Sequence, residues 1–236
     1  MKTTNSSFFL ILYLALLGIF LLLIPNSFFG AEKYIIPPTL DLLLILYFLV
    51  FSDNTKQTKI KISTGLIFSF LGYLAFLFTP DERSGYLLSL FAYAIAKVCY
   101  ISNFFSTKSV SVKRLIPITV ILVSFGTLFL FLIWKNVYEA LIPVVAYMLL
   151  LFVLVKTTFL RKNMVNNTSY ILAFLGSLFL LLCNAVFALD LCYTKIAYAE
   201  IYIYVFFYLG KLCIVLGTME QRVDKTQLKT IFRGRA

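Results

Sequence analysis

Residues Gly85–Phe105 read GYLLSLFAYAIAKVCYISNFF, and residues Ile201–Thr218 read IYIYVFFYLGKLCIVLGT. Each stretch is long enough to cross a hydrocarbon layer at about 1.5 Å per helical residue, and each carries one charge near its middle. Those charges are Lys97 and Lys211. A charge at the centre of a bilayer costs about 3 kcal/mol or more, so such a residue faces the protein interior, finds a partner and marks a functional site. The two stretches therefore place the chain in a membrane and point to where its chemistry lies.

The rest of the chain follows the same pattern. Sixty-one percent of residues are hydrophobic and 13% are charged. A soluble domain of this size lacks the interior to hide so much apolar surface. The apolar residues form continuous runs rather than alternating ones, which predicts helices and excludes a membrane β-barrel. Eight spans are expected, near Phe8–Ile24, Ile35–Phe51, Ile60–Phe78, Gly85–Phe105, Leu115–Trp134, Ala140–Phe159, Tyr170–Leu189 and Ala197–Thr218. The expected fold is an all-α, multi-pass membrane bundle over residues 1–218, with a basic tail at 219–236. The first run follows Lys2 and is too long for a signal peptide, so it reads as a span.

The net charge of +11 is explained by basic loops rather than by nucleic acid, for which no binding module is present. With eight spans, one side holds Lys2, Lys56, Lys59, Lys61, Lys108, Lys113, Arg114, Lys156, Arg161, Lys162 and the tail. The other side holds only Lys33, Arg83, Lys135 and Lys195. This asymmetry predicts cytoplasmic termini in an inner, or plasma, membrane. The chain has no histidine, and its four cysteines form no CxxC pair, so neither a metal nor a cofactor is expected.

In a lipid solvent the informative residues are the few polar ones at depth. Besides the lysines they are Asp41, Tyr73, Tyr100, Tyr147 and Asn184. Counting from the ends of the runs puts Asp41, Tyr73 and Asn184 roughly 8 Å below the outer surface and the lysines roughly 15–20 Å below it. The expectation is one cavity, with the first three residues at its mouth and the lysines on its floor.

Several motifs carry a family resemblance. They are Pro37-Pro38-Thr39-Leu40, Ser69-Phe70-Leu71-Gly72, and Ala94-Ile95-Ala96-Lys97-Val98-Cys99-Tyr100-Ile101. They continue with Gly176-Ser177 through Cys183-Asn184, and with Tyr208-Leu209-Gly210-Lys211 through Gly217. In order and spacing the chain resembles the YhhN family, whose characterised members are lysoplasmalogenases. The resemblance implies an eight-span bundle and hydrolysis of the vinyl-ether bond of a lysoplasmalogen.

The departures fall on the polar centre. Where the family carries Gly-Asp and Ser-Asp, this chain has Gly72-Tyr73 and Cys183-Asn184. Lys97 replaces a histidine, Lys211 a glutamine, and Pro37 the lysine of a Lys-Pro pair. Vinyl-ether hydrolysis needs an acid and a base, and Asp41 is the one carboxylate well inside a span. The expected function is binding of a membrane lysophospholipid or other anionic amphiphile through Lys97, Lys211, Tyr73, Asn184 and Tyr100. The alternative is an active hydrolase with a rearranged site in which Asp41 is catalytic. A retinal protein using Lys211 as a Schiff-base lysine is disfavoured by the span count and by the lack of a carboxylate in spans three to six. Assembly with a second copy or another membrane protein is left open.

Overall fold

A computed structural model describes residues 2–24, 32–79, 83–105, 112–134 and 141–221. These residues form eight helices: α1 (Lys2–Leu23), α2 (Glu32–Phe51), α3 (Lys56–Phe78), α4 (Arg83–Phe104), α5 (Val112–Ile133), α6 (Leu141–Leu160), α7 (Asn167–Cys192) and α8 (Ala199–Met219). Helices α2 to α8 are long and apolar enough to cross a membrane, whereas the described apolar part of α1, Ser7–Leu23, is shorter. The expected tail lies outside the described residues beyond Gln221. So do the side chains of Lys2, Lys33, Arg83, Lys108, Lys113, Arg114 and Lys135.

The outside of the bundle carries many large apolar side chains. Phe131, Ile142, Leu22 and Phe78 are among its most exposed side chains. In water such a surface would drive aggregation, but in hydrocarbon it needs no cover. Without a hydrophobic force between helices, close approach of backbones and buried polar contacts hold them together.

Two antiparallel helix pairs show this packing most clearly. On α3, a side chain at Gly65 or Gly72 would run into the ring of Tyr100 or Tyr93 on α4. Two glycines seven residues apart thus receive two tyrosines seven residues apart. On α7 and α8 the backbones themselves touch: a Cβ at Gly176 would lie 2.8 Å from the Gly210 carbonyl oxygen, and one at Gly217 would lie 2.7 Å from the Ala173 nitrogen. The Ser169 hydroxyl donates to the Gly217 carbonyl at 2.5 Å, and Thr158 on α6 bonds Ser177 on α7 at 2.8 Å. Small residues at these positions are what allow the approach.

The start of α2 differs from the sequence expectation. The helix begins at Glu32, three residues before the expected span, and Pro37 and Pro38 lie inside it. Neither proline can donate to the carbonyl four residues earlier, yet the helix continues through them. Tolerance is expected so close to the helix start, and the Thr39 hydroxyl adds a bond to the Ile35 carbonyl at 2.7 Å. The helix therefore begins at Glu32, which places Asp41 at its middle.

Candidate functional site

Lys97, Lys211 and Asp41 are buried at 1%, 1% and 3% relative exposure. The lysines do not snorkel to an interface. A helical side chain leans toward the N-terminus of its own helix, which carries each ammonium back over the preceding turn. The Lys211 ammonium lies 3.8 Å from the ring centre of Phe207 and 4.5 Å from that of Tyr208. The Lys97 ammonium lies 5.9 Å from the Tyr93 ring centre and 5.8 Å from that of Tyr100.

The Asp41 carboxylate forms a buried ion pair with the Lys211 ammonium. This corrects the expected layering, in which Asp41 sat well above the lysines. The physical reason is the long lysine stem, which carries its charge back toward the start of α8. Among the described residues, the second oxygen of Asp41 and the buried hydroxyls of Ser69, Tyr100 and Tyr208 find no hydrogen-bond partner.

Among the described residues Lys97 makes no ion pair, and its ammonium lies over two aromatic rings. Cation–π contacts at such distances are worth about 1–2 kcal/mol, less than the cost of burying the charge. Among the described residues, two lysines thus share the centre of the bundle with one carboxylate, and that carboxylate is engaged.

A cavity of about 340 Å³ lies next to this centre. Its wall includes Tyr73, Tyr93, Tyr147, Cys183, Asn184 and Phe207, with many further aromatic and aliphatic side chains. The space extends toward the end of the bundle where α4, α6 and α8 begin, past Tyr86, Phe187 and Cys192. Its size and apolar lining with a few polar groups suit a small amphiphile. The Asn184 amide donates to the Leu180 carbonyl at 2.6 Å, and Tyr73 interacts with Tyr204.

The sequence-predicted residues thus divide into two groups. Tyr73 and Asn184 are on the cavity wall. Asp41, Lys97, Lys211 and Tyr100 lie in the packed layer behind it, with Tyr100 seated against Gly65. Sequence reasoning missed Tyr93 and Phe207, which belong to both groups because each lines the cavity and faces a lysine. The signal was present as an aromatic residue four positions before each lysine, a spacing that stacks neighbours on one helix face.

No three His, Cys, Asp or Glu side chains come together among the described residues in a way that would hold a metal. The chain matches no curated protein and no solved structure. A family model matches residues 32–218, which span α2 through the penultimate residue of α8. The chain is an integral membrane protein that belongs to the YhhN family.

Proposed function

We propose that this protein holds a lysophospholipid or another anionic single-chain amphiphile in its intramembrane cavity, without the hydrolysis that its resemblance to lysoplasmalogenases would imply. The observation that carries this reading is the Lys97 ammonium, buried beside a cavity with no carboxylate partner. A phosphate or carboxylate head group would balance that charge through charge-assisted hydrogen bonds, and the aromatic wall would hold the chain. Tyr73 and Asn184 stand where the family carries acids, and neither is suited to protonate a vinyl ether at neutral pH.

The cavity is taken to open toward the outer leaflet. Lys56, Lys59, Lys61, Lys156, Arg161 and Lys162 lie at the other end of the bundle, where the positive-inside rule puts the cytoplasm. Arg161 is buried there over the Phe104 ring at 4.5 Å, near the C-terminal ends of α4 and α6. Burial pulls its pKa down to about 10, so it remains a cation and complements those helix ends.

The test is native mass spectrometry of the purified protein with palmitate and palmitoyl-lysophosphatidate. Wild type is expected to retain both, and Lys97→Met to lose them. Unchanged binding in a well-folded Lys97→Met protein would sink the reading.

A second reading, an active hydrolase with Asp41 as acid or base, is favoured by the unpartnered Asp41 oxygen beside Lys211. It requires aldehyde release from lysoplasmalogen that is lost in Asp41→Asn. A folded wild-type protein that releases none dismisses it.

A further inference from the structure

The rings of Tyr93 and Phe207 meet edge to face, with centres 5.7 Å apart and planes 81° apart. Both line the cavity, and each stands one helical turn ahead of its lysine. On the cavity side of the pair the wall is mostly apolar. On the other side are both ammonium groups, the spare oxygen of Asp41, and the unpartnered hydroxyls of Tyr100 and Tyr208. The pair therefore stands between a place suited to a hydrocarbon chain and a place suited to an acidic head.

The two rings are held differently. Tyr93 is backed by α3, where a Cβ at Gly72 would come within 3.1 Å of the ring, so it has no room to swing that way. Phe207 is flanked by Tyr93, by Tyr208 at 5.2 Å and by the Lys211 ammonium, and it has only two side-chain torsions to turn.

We infer that Tyr93 and Phe207 partition the site. They pass a small acidic head, a carboxylate or a phosphate monoester, through to Lys97, and they turn away the bulkier choline-bearing phosphodiester of a lysophosphatidylcholine. The inference rests on the amphiphile-binding reading above and narrows its ligand class. A small head that passes the rings meets the Lys97 ammonium and the free tyrosine hydroxyls, which supply a cation and neutral donors for its oxygens. A quaternary ammonium carried through with it would meet two lysines, so like charges add to the steric barrier.

The experiment offers palmitate, palmitoyl-lysophosphatidate and palmitoyl-lysophosphatidylcholine at equal concentration to detergent-purified protein, and reads bound ligand by native mass spectrometry. Wild type is expected to prefer both acids over the choline lipid by about tenfold or more. Phe207→Ala should admit the choline lipid and shrink that preference to about threefold or less. Phe207→Leu, which keeps an apolar side chain without the ring, should do the same if the alanine variant is not monodisperse. A wild-type preference retained in either folded Phe207 variant overturns the partition, as does a wild type that takes the choline lipid as readily as the acids. The underlying reading fails separately, when Lys97→Met leaves acid binding unchanged.

Discussion

Lys211 and Lys97 are the same residue in matching settings, and among the described residues only Lys211 has an ion-pair partner. Each lies in the middle of a spanning helix, follows an aromatic residue by four positions, and is shielded by two rings. Lys211 meets Asp41 from α2, whereas Lys97 meets no carboxylate among the described residues. On the proposed function, the difference separates a structural charge from a ligand-binding one. A buried ion pair is neutral and is held by its own geometry, whereas Lys97 has no such pair among the described residues.

The sharpest way to break this comparison is Asp41→Asn. It leaves Lys211 charged and buried without its partner, and should cost about 3–5 kcal/mol of stability, read by denaturant unfolding in detergent micelles. The double variant Asp41→Leu with Lys211→Met should regain most of that loss, because removing both charges removes the burial cost as well. If Asp41→Asn is no more costly than Lys97→Met, the two lysines are not different in kind.

The helix pairs that carry the lysines allow a second contrast. Gly176→Ala places a methyl group against the α8 backbone, which cannot yield, and should cost about 1–3 kcal/mol in the same assay. Gly65→Ala presses instead on the Tyr100 ring beside Lys97, and is expected to cost less because a side chain can give way. Equal losses would show that both frames are equally rigid.

Lys97→Met should change stability by less than about 1 kcal/mol, or even raise it, since it removes an uncompensated charge. Its effect belongs in ligand retention instead. The smallest effect is expected from Thr158→Val, which removes the α6–α7 bond to Ser177 and should cost about 0.6 kcal/mol, in line with hydrogen bonds between membrane helices. A loss of several kcal/mol there would mean that the buried polar contacts, more than the Asp41–Lys211 pair, hold the bundle.

Most of the fold was legible because each spanning helix is a local object. Twenty apolar residues in a row encode it without reference to any other part of the chain. Helix starts were less legible, and Pro37-Pro38 shows why. Proline is a dependable stop signal in water, but near the start of a membrane helix it is tolerated, and α2 begins five residues before it. Tyr93 and Phe207 were passed over because the chain is 17% aromatic, and one more ring in an apolar run carries no signal until its neighbour is known.

By itself, the sequence determined that this chain crosses a membrane through bundled helices, that it buries two lysines, and that it lacks the paired acids of the family it resembles. Only the tertiary structure decided which lysine Asp41 neutralises and which residues wall the cavity. The physical reason is the solvent. In water, one face of a helix is apolar and names its own interior, but helices that are apolar all round leave that face unmarked. The Asp41–Lys211 contact joins residues 170 apart in the chain, and nothing local encodes the packing that brings α2 against α8.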